Sequence, residues 1–190
     1  YCGRSADVAF LVDASSSIWE PYFKIQMKFV ERLVKMFDVS SSKTRIALVT
    51  FSEKLKVEFY LNELNTSDDM VRVIRTLPFA RGMQTKTFDA LKFLRTNIFK
   101  EENGDRPYSP NVAIIFTDGR SDDVGKTIQE AEIDKRSKIY LFAIGIGRLI
   151  DVFELMHIAS RPLTDFLFRV QSFKEFRRRN IRHLLSFRAC

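Results

Sequence analysis

Apolar residues in this chain fall in short unbroken runs, and most of the segments between the runs have helical spacing. The runs predict strands over Asp7–Val12, Arg45–Phe51, Leu55–Tyr60, Val112–Thr117, Ile139–Ile144 and Phe166–Val170. Helices are predicted over Trp19–Phe37, Asp68–Leu77, Phe88–Phe99, Asp123–Ser137, Ile150–Ala159 and Phe173–Leu185. Strand followed by helix, repeated, argues for an α/β fold, Rossmann-like and doubly wound, with a mostly parallel six-stranded sheet flanked by about six helices. The exception is Leu55–Tyr60, which follows its predecessor after only Ser52-Glu53-Lys54. So short a link makes a hairpin, and Lys54, Lys56 and Glu58 alternating with apolar residues suit one antiparallel edge strand. The runs Val112–Thr117 and Ile139–Ile144 are continuously apolar and are expected at the centre of the sheet.

Local signals punctuate the pattern. Ser16 or Ser17 is expected to cap the first helix, and Ser121-Asp122-Asp123 the fourth. Pro107 and Pro110 break the chain before the fourth strand, and Gly145-Ile146-Gly147 ends the fifth. That glycine pair lacks the third glycine of a dinucleotide loop and follows a late strand, so it is not read as one. No repeat or linker interrupts the pattern, and residues 1–190 read as one domain, excised from a longer secreted protein.

The first strand delivers chemistry. Val8-Ala9-Phe10-Leu11-Val12 runs straight into Asp13-Ala14-Ser15-Ser16-Ser17, placing a carboxylate and two alternate hydroxyls at a strand's C-terminal end. Open parallel sheets bind ligands at that edge. Oxygen side chains at i, i+2 and i+4 can converge on a hard divalent cation such as Mg²⁺. Taken alone, the same residues also suit a helix cap or the start of a phosphotransfer motif. A second buried run, Ala113 to Thr117, ends in Asp118-Gly119, and the Gly-containing loop Arg81–Thr87 can lay the Thr85 hydroxyl over the same spot.

This ordered set resembles the von Willebrand factor type A domain with its metal-ion-dependent adhesion site. Within that family the chain is most similar to the extracellular-matrix type of matrilins and collagens. Thr44–Val49, Lys56–Phe59, Thr117-Asp118-Gly119-Arg120 and Ile158–Leu163 carry that likeness. The resemblance implies a non-enzymatic module in which Ser15 and Ser17 bind Mg²⁺ and Thr85 joins when ligand is engaged. Asp13 and Asp118 would act directly or through water, and Ca²⁺ or Mn²⁺ can substitute. An acidic group of a matrix partner, such as collagen or a proteoglycan, then fills the open position. Ser16 stands where the family often has Gly, and Met83-Gln84 where it often has Gly-Gly; neither change removes a ligand.

A haloacid-dehalogenase-type phosphotransferase is the rival from another class. It too begins with a strand ending in Asp, with Thr50 and the late acids Asp118, Asp122 and Asp123 as its other parts. Its general acid would stand where this chain has Ser15.

Charge and cysteines add the setting. The net charge is +7, which favours acidic partners in general. Lys174, Arg177, Arg178, Arg179 and Arg182 on the last predicted helix form a candidate surface for glycosaminoglycans, and a structural or assembly role through that surface is the alternative function. Cys2 and Cys190 are the only cysteines. Their places near the two ends suggest a disulfide clasp and an oxidising compartment. Asn65-Thr66-Ser67 is a glycosylation sequon. No apolar run approaches the roughly 18 residues of a membrane span. These readings make the protein a secreted, extracellular-matrix component with no nucleic-acid partner and no membrane insertion, with self-association open to it through the parent protein. His157 and His183 stand on separate predicted helices and are read as structural, while Trp19 is expected to pack in the core or at its rim.

Overall fold

The computed structural model describes residues 5–147 and 150–170. Six strands form one sheet in the order β3-β2-β1-β4-β5-β6. They are β1 (Ala6–Asp13), β2 (Thr44–Phe51), β3 (Leu55–Phe59), β4 (Asn111–Thr117), β5 (Ile139–Ile146) and β6 (Leu167–Val170). All neighbours pair in parallel except β2 and β3, which form the expected antiparallel hairpin. The helices are α1 (Glu20–Met36), α2 (Ser67–Thr76), α3 (Thr87–Phe93), α4 (Val124–Arg136), α5 (Val152–Ile158) and α6 (Leu163–Phe166). Helix α1 packs on α2, while α4 packs on both α3 and α5. Right-handed crossovers that run outward in opposite directions from β1 put these two groups on opposite faces. Every residue of β1 is buried for that reason, and its apolar run has no wet face.

Several sequence expectations shift. The central pair is β1 and β4, whereas β5 lies one place from the edge, covered by the four-residue β6. Its unbroken apolar run reflects helices on both faces rather than a central position. Helix α1 begins at Glu20, after Trp19 as N-cap with no side-chain cap, and Pro21 supplies the preset backbone of the first turn. Neither Ser16 nor Ser17 caps it. Asp123 does cap α4, accepting from the Lys126 N–H at 2.9 Å. The predicted Phe88–Phe99 helix is α-helical only to Phe93, then widens into a π-turn over Leu94–Ile98, where the Phe99 N–H reaches back to the Leu94 carbonyl at 2.8 Å. That extra residue per turn keeps both Leu94 and Ile98 buried. Helix α6 is a single turn that the sequence pattern did not announce. The predicted helix Phe173–Leu185, with the basic residues Lys174 to Arg182, lies outside the described residues, as do Cys2 and Cys190.

Candidate functional site

The strand order reverses between β1 and β4, because the chain leaves β1 toward β2 and later returns to its other side as β4. Register then decides what stands at that switch. Val12 lies opposite Phe116 and Asp13 opposite Phe51, so β1 and β4 end together, and Asp13 and Asp118 emerge at the same edge.

Asp13 is fully buried, and everything that bonds to it is neutral. Its Oδ1 accepts the Ser15 N–H at 2.9 Å and its Oδ2 accepts the Thr117 hydroxyl at 2.8 Å. Burial pushes the Asp13 carboxyl up to about 7 against these bonds, and the nearby Asp118 adds to the rise. Burial also raises Asp118, opposed by hydrogen bonds from the Ser17 hydroxyl and the Arg120 N–H. The Ser15 and Ser17 hydroxyls meet at 3.0 Å; Ser15 is buried and Ser17 exposed. Two carboxylates and these hydroxyls therefore face one another with no cationic side chain bonded to Asp13. Where the structure places them, this donor set is all oxygen, and it suits a hard divalent ion. Among the described residues no cluster of three His, Cys, Asp or Glu side chains could hold a metal, so any ion site here depends on hydroxyls.

Thr85 reaches the same edge through a pinned loop. The Gly82 N–H bonds the Ala14 carbonyl at 3.2 Å and the Gly82 carbonyl accepts the Ser16 N–H at 2.7 Å, so the loop adds a strand-like bridge beside Ser15. A side chain at Gly82 would put its Cβ 2.3 Å from the Ser52 Oγ, so only glycine lets the loop approach this closely. Arg81 is ion-paired with Glu20 on α1, and the Lys86 N–H bonds the Ser52 carbonyl at 3.1 Å. Thr85 itself is buried and clamped twice by Asp122. Its N–H donates to Asp122 Oδ2 at 3.1 Å, and the Asp122 N–H donates to its carbonyl at 3.1 Å.

The sequence reading overlooked four residues. Thr117 orients Asp13, and its hydroxyl also accepts the Gly119 N–H at 3.1 Å. Asp122, which the sequence offers as part of a helix cap and as a late acid of the phosphotransfer rival, instead holds Thr85. Gly82 was noted as part of a loop rather than as the residue that makes the loop fit. Buried Glu154, on α5, accepts the Ser121 N–H at 3.1 Å and so holds the loop after Asp118. Nothing in the chain's pattern singles out Glu154, because its partner is a backbone group far away in sequence. Thr50, the phosphotransfer candidate, donates instead to Glu58 on β3 at 2.9 Å. Trp19 lies outside the core, 65% exposed, and meets the core-packed Tyr22 edge-on. Asn65 is exposed in the loop before α2, and His157 is part-exposed with its ring on the Phe153 carbonyl.

A doubly wound sheet with an oxygen-rich edge between β1 and β4 defines a class of ligand-binding α/β domains. The family model of the von Willebrand factor type A domain matches residues 7–181, and the chain belongs to that family. Matrilin-1 of Mus musculus is 34% identical over 172 residues, covering 90% of this chain and 34% of the relative. The collagen alpha-4(VI) chain of Mus musculus is 34% identical over 170 residues, covering 88% of this chain and 7% of the relative. The chain thus spans about a third of the length of the matrilin-1 relatives it matches. A solved structure of proximal thread matrix protein 1 from the mussel byssus, with a zinc-occupied MIDAS motif, aligns with a TM-score of 0.82 at 30% identity. It covers 92% of this chain and 46% of that one. Manganese-loaded Plasmodium vivax TRAP protein aligns at 0.81 with 19% identity over 93% of this chain and 72% of that one, which supports the fold alone. The A domains of matrilins and collagens are non-enzymatic, and this chain is a domain of their type, which sets the phosphotransferase aside. Among the described residues no helix is long and apolar enough to cross a membrane.

Proposed function

We propose that this chain is a secreted extracellular-matrix adhesion module in which Asp13, Ser15, Ser17, Thr85 and Asp118 hold a divalent cation that receives an acidic group of a partner such as a collagen or a proteoglycan. The observation that carries the reading is the pair of acids at the β1–β4 switch, one fully buried, with hydroxyls converging on them and only neutral donors bonded to Asp13. An ion there would supply the missing positive charge and an open coordination position. Two carboxylates roughly balance a divalent ion, so a third from a partner still meets favourable charge. Mg²⁺ fits best on the hardness of the donors, and Ca²⁺ or Mn²⁺ can replace it. The divalent metal in the byssus protein's motif supports the site without deciding the ion. Disulfide pairing of Cys2 with Cys190 and glycosylation at exposed Asn65 belong to the same secreted reading.

The test is retention on immobilised collagens and proteoglycans with Mg²⁺, with chelator, and with Asp13→Ala. Retention that disappears in both of the last two supports the ion-mediated reading. Retention that survives both, yet falls with salt and with charge reversal at Arg177, Arg178 and Arg179, moves the contact to the basic segment and its glycosaminoglycan partners.

A further inference from the structure

The loop that follows Asp118 is seated on the start of α5. The Asp151 N–H donates to the Asp118 carbonyl at 2.8 Å, and Gly119 lies so close that a Cβ there would stand 2.6 Å from the Asp151 carbonyl oxygen. The last point of the seat is Glu154, whose Oε2 accepts the Ser121 N–H at 3.1 Å. Glu154 is fully buried, and its Oε1 has no hydrogen-bond partner. Burial raises its carboxyl, and Asp151 and Asp118 add to the rise, against its bonds to Ser121. An acid is a costly choice here. Where this fold buries acids away from the candidate site it supplies a guanidinium, Arg106 for Asp7 and Arg95 for Asp134. Glu154 receives a peptide N–H and two acidic neighbours instead, and a neutral side chain of the same shape would serve Ser121 at lower cost.

Resting on the ion site proposed above, we infer that Glu154 is a positioning residue of that site: it places Asp118 and, through Ser121 and Asp122, Thr85, and its buried negative charge favours a divalent ion at the β1–β4 edge. Placement runs along the loop. Ser121 and Asp122 are consecutive, so the bond that fixes the first limits the second, and Asp122 clamps Thr85 through both its carboxylate and its N–H. Asp118 is held at the other end of the same loop by the Asp151 N–H, so the first turn of α5 governs both late contributors to the ion. The charge acts without contact. A carboxylate close enough to feel Asp118 also feels an ion bound beside Asp118, with the opposite sign. Repulsion that burdens the metal-free chain becomes attraction when the ion enters. Groups one layer out from a metal hold and tune its ligands in this way without touching the metal.

The experiment compares the full chain with Glu154→Gln, Glu154→Ala and, as a control for net charge, Glu102→Gln, an exposed acid that precedes β4, whose other end carries the site. Mn²⁺ is titrated directly at pH 8, and thermal melts are run in chelator. Glu154→Gln keeps an oxygen for the Ser121 N–H and removes the charge. It is expected to melt in chelator no lower than wild type while binding Mn²⁺ about tenfold more weakly. Glu154→Ala loses the seat as well and is expected to bind Mn²⁺ more weakly still, while Glu102→Gln should bind as wild type does. Unchanged Mn²⁺ affinity in Glu154→Gln overturns the inference. So does a Glu154→Gln chain that melts well below wild type in chelator, because Glu154 is then a staple of the fold. An equal loss of affinity in Glu102→Gln overturns it too, by making the effect one of net charge. Asp13→Ala keeps this apart from the reading it rests on. Mn²⁺ binding that needs Asp13 but ignores Glu154 removes the role of Glu154 alone, whereas Mn²⁺ binding that ignores Asp13 removes the site itself.

Discussion

Asp7 and Asp13 stand six residues apart on β1, on the same face of the sheet, and both are wholly buried. Their surroundings differ in one respect. At the N-terminal end Arg106 wraps Asp7, with its Nη2 2.6 Å and its Nε 2.9 Å from Oδ1, and its N–H bonds Oδ2 at 2.8 Å. The same guanidinium donates to the Ala6 and Lys43 carbonyls at 2.9 and 2.7 Å, so it ties the loop before β4 to the start of β1 and to the residue before β2. At the other end Asp13 meets a peptide N–H, a hydroxyl and a second acid. A buried carboxylate given an internal cation is a staple for the fold. One left with neutral partners at a sheet's ligand-binding edge is costly in isolation, and it becomes favourable only when a cation comes from outside.

The staple predicts the largest effect. Arg106→Met would leave Asp7 buried with no cation, and the cost is expected to be about 3–5 kcal/mol. Urea unfolding measures it, and Asp7→Asn in the same chain should recover part of the loss. A cost below about 1 kcal/mol, the range of surface ion pairs, would erase the distinction between the two ends.

Asp13 predicts the opposite sign. Its folded carboxyl is raised to about 7 from 3.8, so the metal-free folded state binds the proton more tightly than the unfolded one. That contribution is fully present below about pH 4 and is lost as pH rises through about 7. Asp13→Asn in chelator at pH 8 is therefore expected to be more stable than wild type by about 1–3 kcal/mol, and the gap should shrink as pH falls through about 7 and close only near pH 4. Added Mg²⁺ should reverse the order, stabilising the wild type alone. Thermal melts across pH with and without chelator read all three. Asp134 is also raised to about 7 by burial despite its bond to Arg95, so only the difference between wild type and variant isolates Asp13. A variant less stable than wild type in chelator at pH 8 would show that the Asp13 end is a staple too.

The contrast also explains what could be read from the chain. Asp13, Ser15 and Ser17 were legible because one turn carries them, and Asp118 because it repeats the same strand-then-acid pattern. The hairpin and the parallel order followed from loop length and unbroken apolar runs. The Asp7–Arg106 staple was not legible, since its partners are 99 residues apart and an Asp at the start of a strand looks solvated. Helix α1's cap was misread because Ser16 and Ser17 are good caps locally. Tertiary contacts draw Ser16 to Gly82 and Ser17 toward Ser15 and Asp118 instead.

Gly82→Ala tests how far the site end depends on a close fit. Its Cβ would meet Ser52 at 2.3–2.4 Å, so the loop must retreat from Ala14 and Ser16. A loss of about 1–3 kcal/mol is expected from overpacking, with weakened Mn²⁺ binding by titration. Unchanged ion affinity would mean that the Gly82 bridge does not hold Ser15 in place for the ion.

The smallest effect is expected at Asp122, and it separates positioning from stability. Asp122 is exposed, so Asp122→Asn removes a charge without opening a cavity. The backbone half of the clamp, from the Asp122 N–H to the Thr85 carbonyl, survives the change, and the other half weakens from a charge-assisted bond to a neutral one. Stability should move by less than about 1 kcal/mol. If Thr85 approaches the ion only when partner is engaged, looser placement should leave Mn²⁺ titrations nearly unchanged and weaken Mg²⁺-dependent retention on the partner severalfold. Equal losses in both measurements would instead mean that Thr85 serves the ion whether or not a partner is bound.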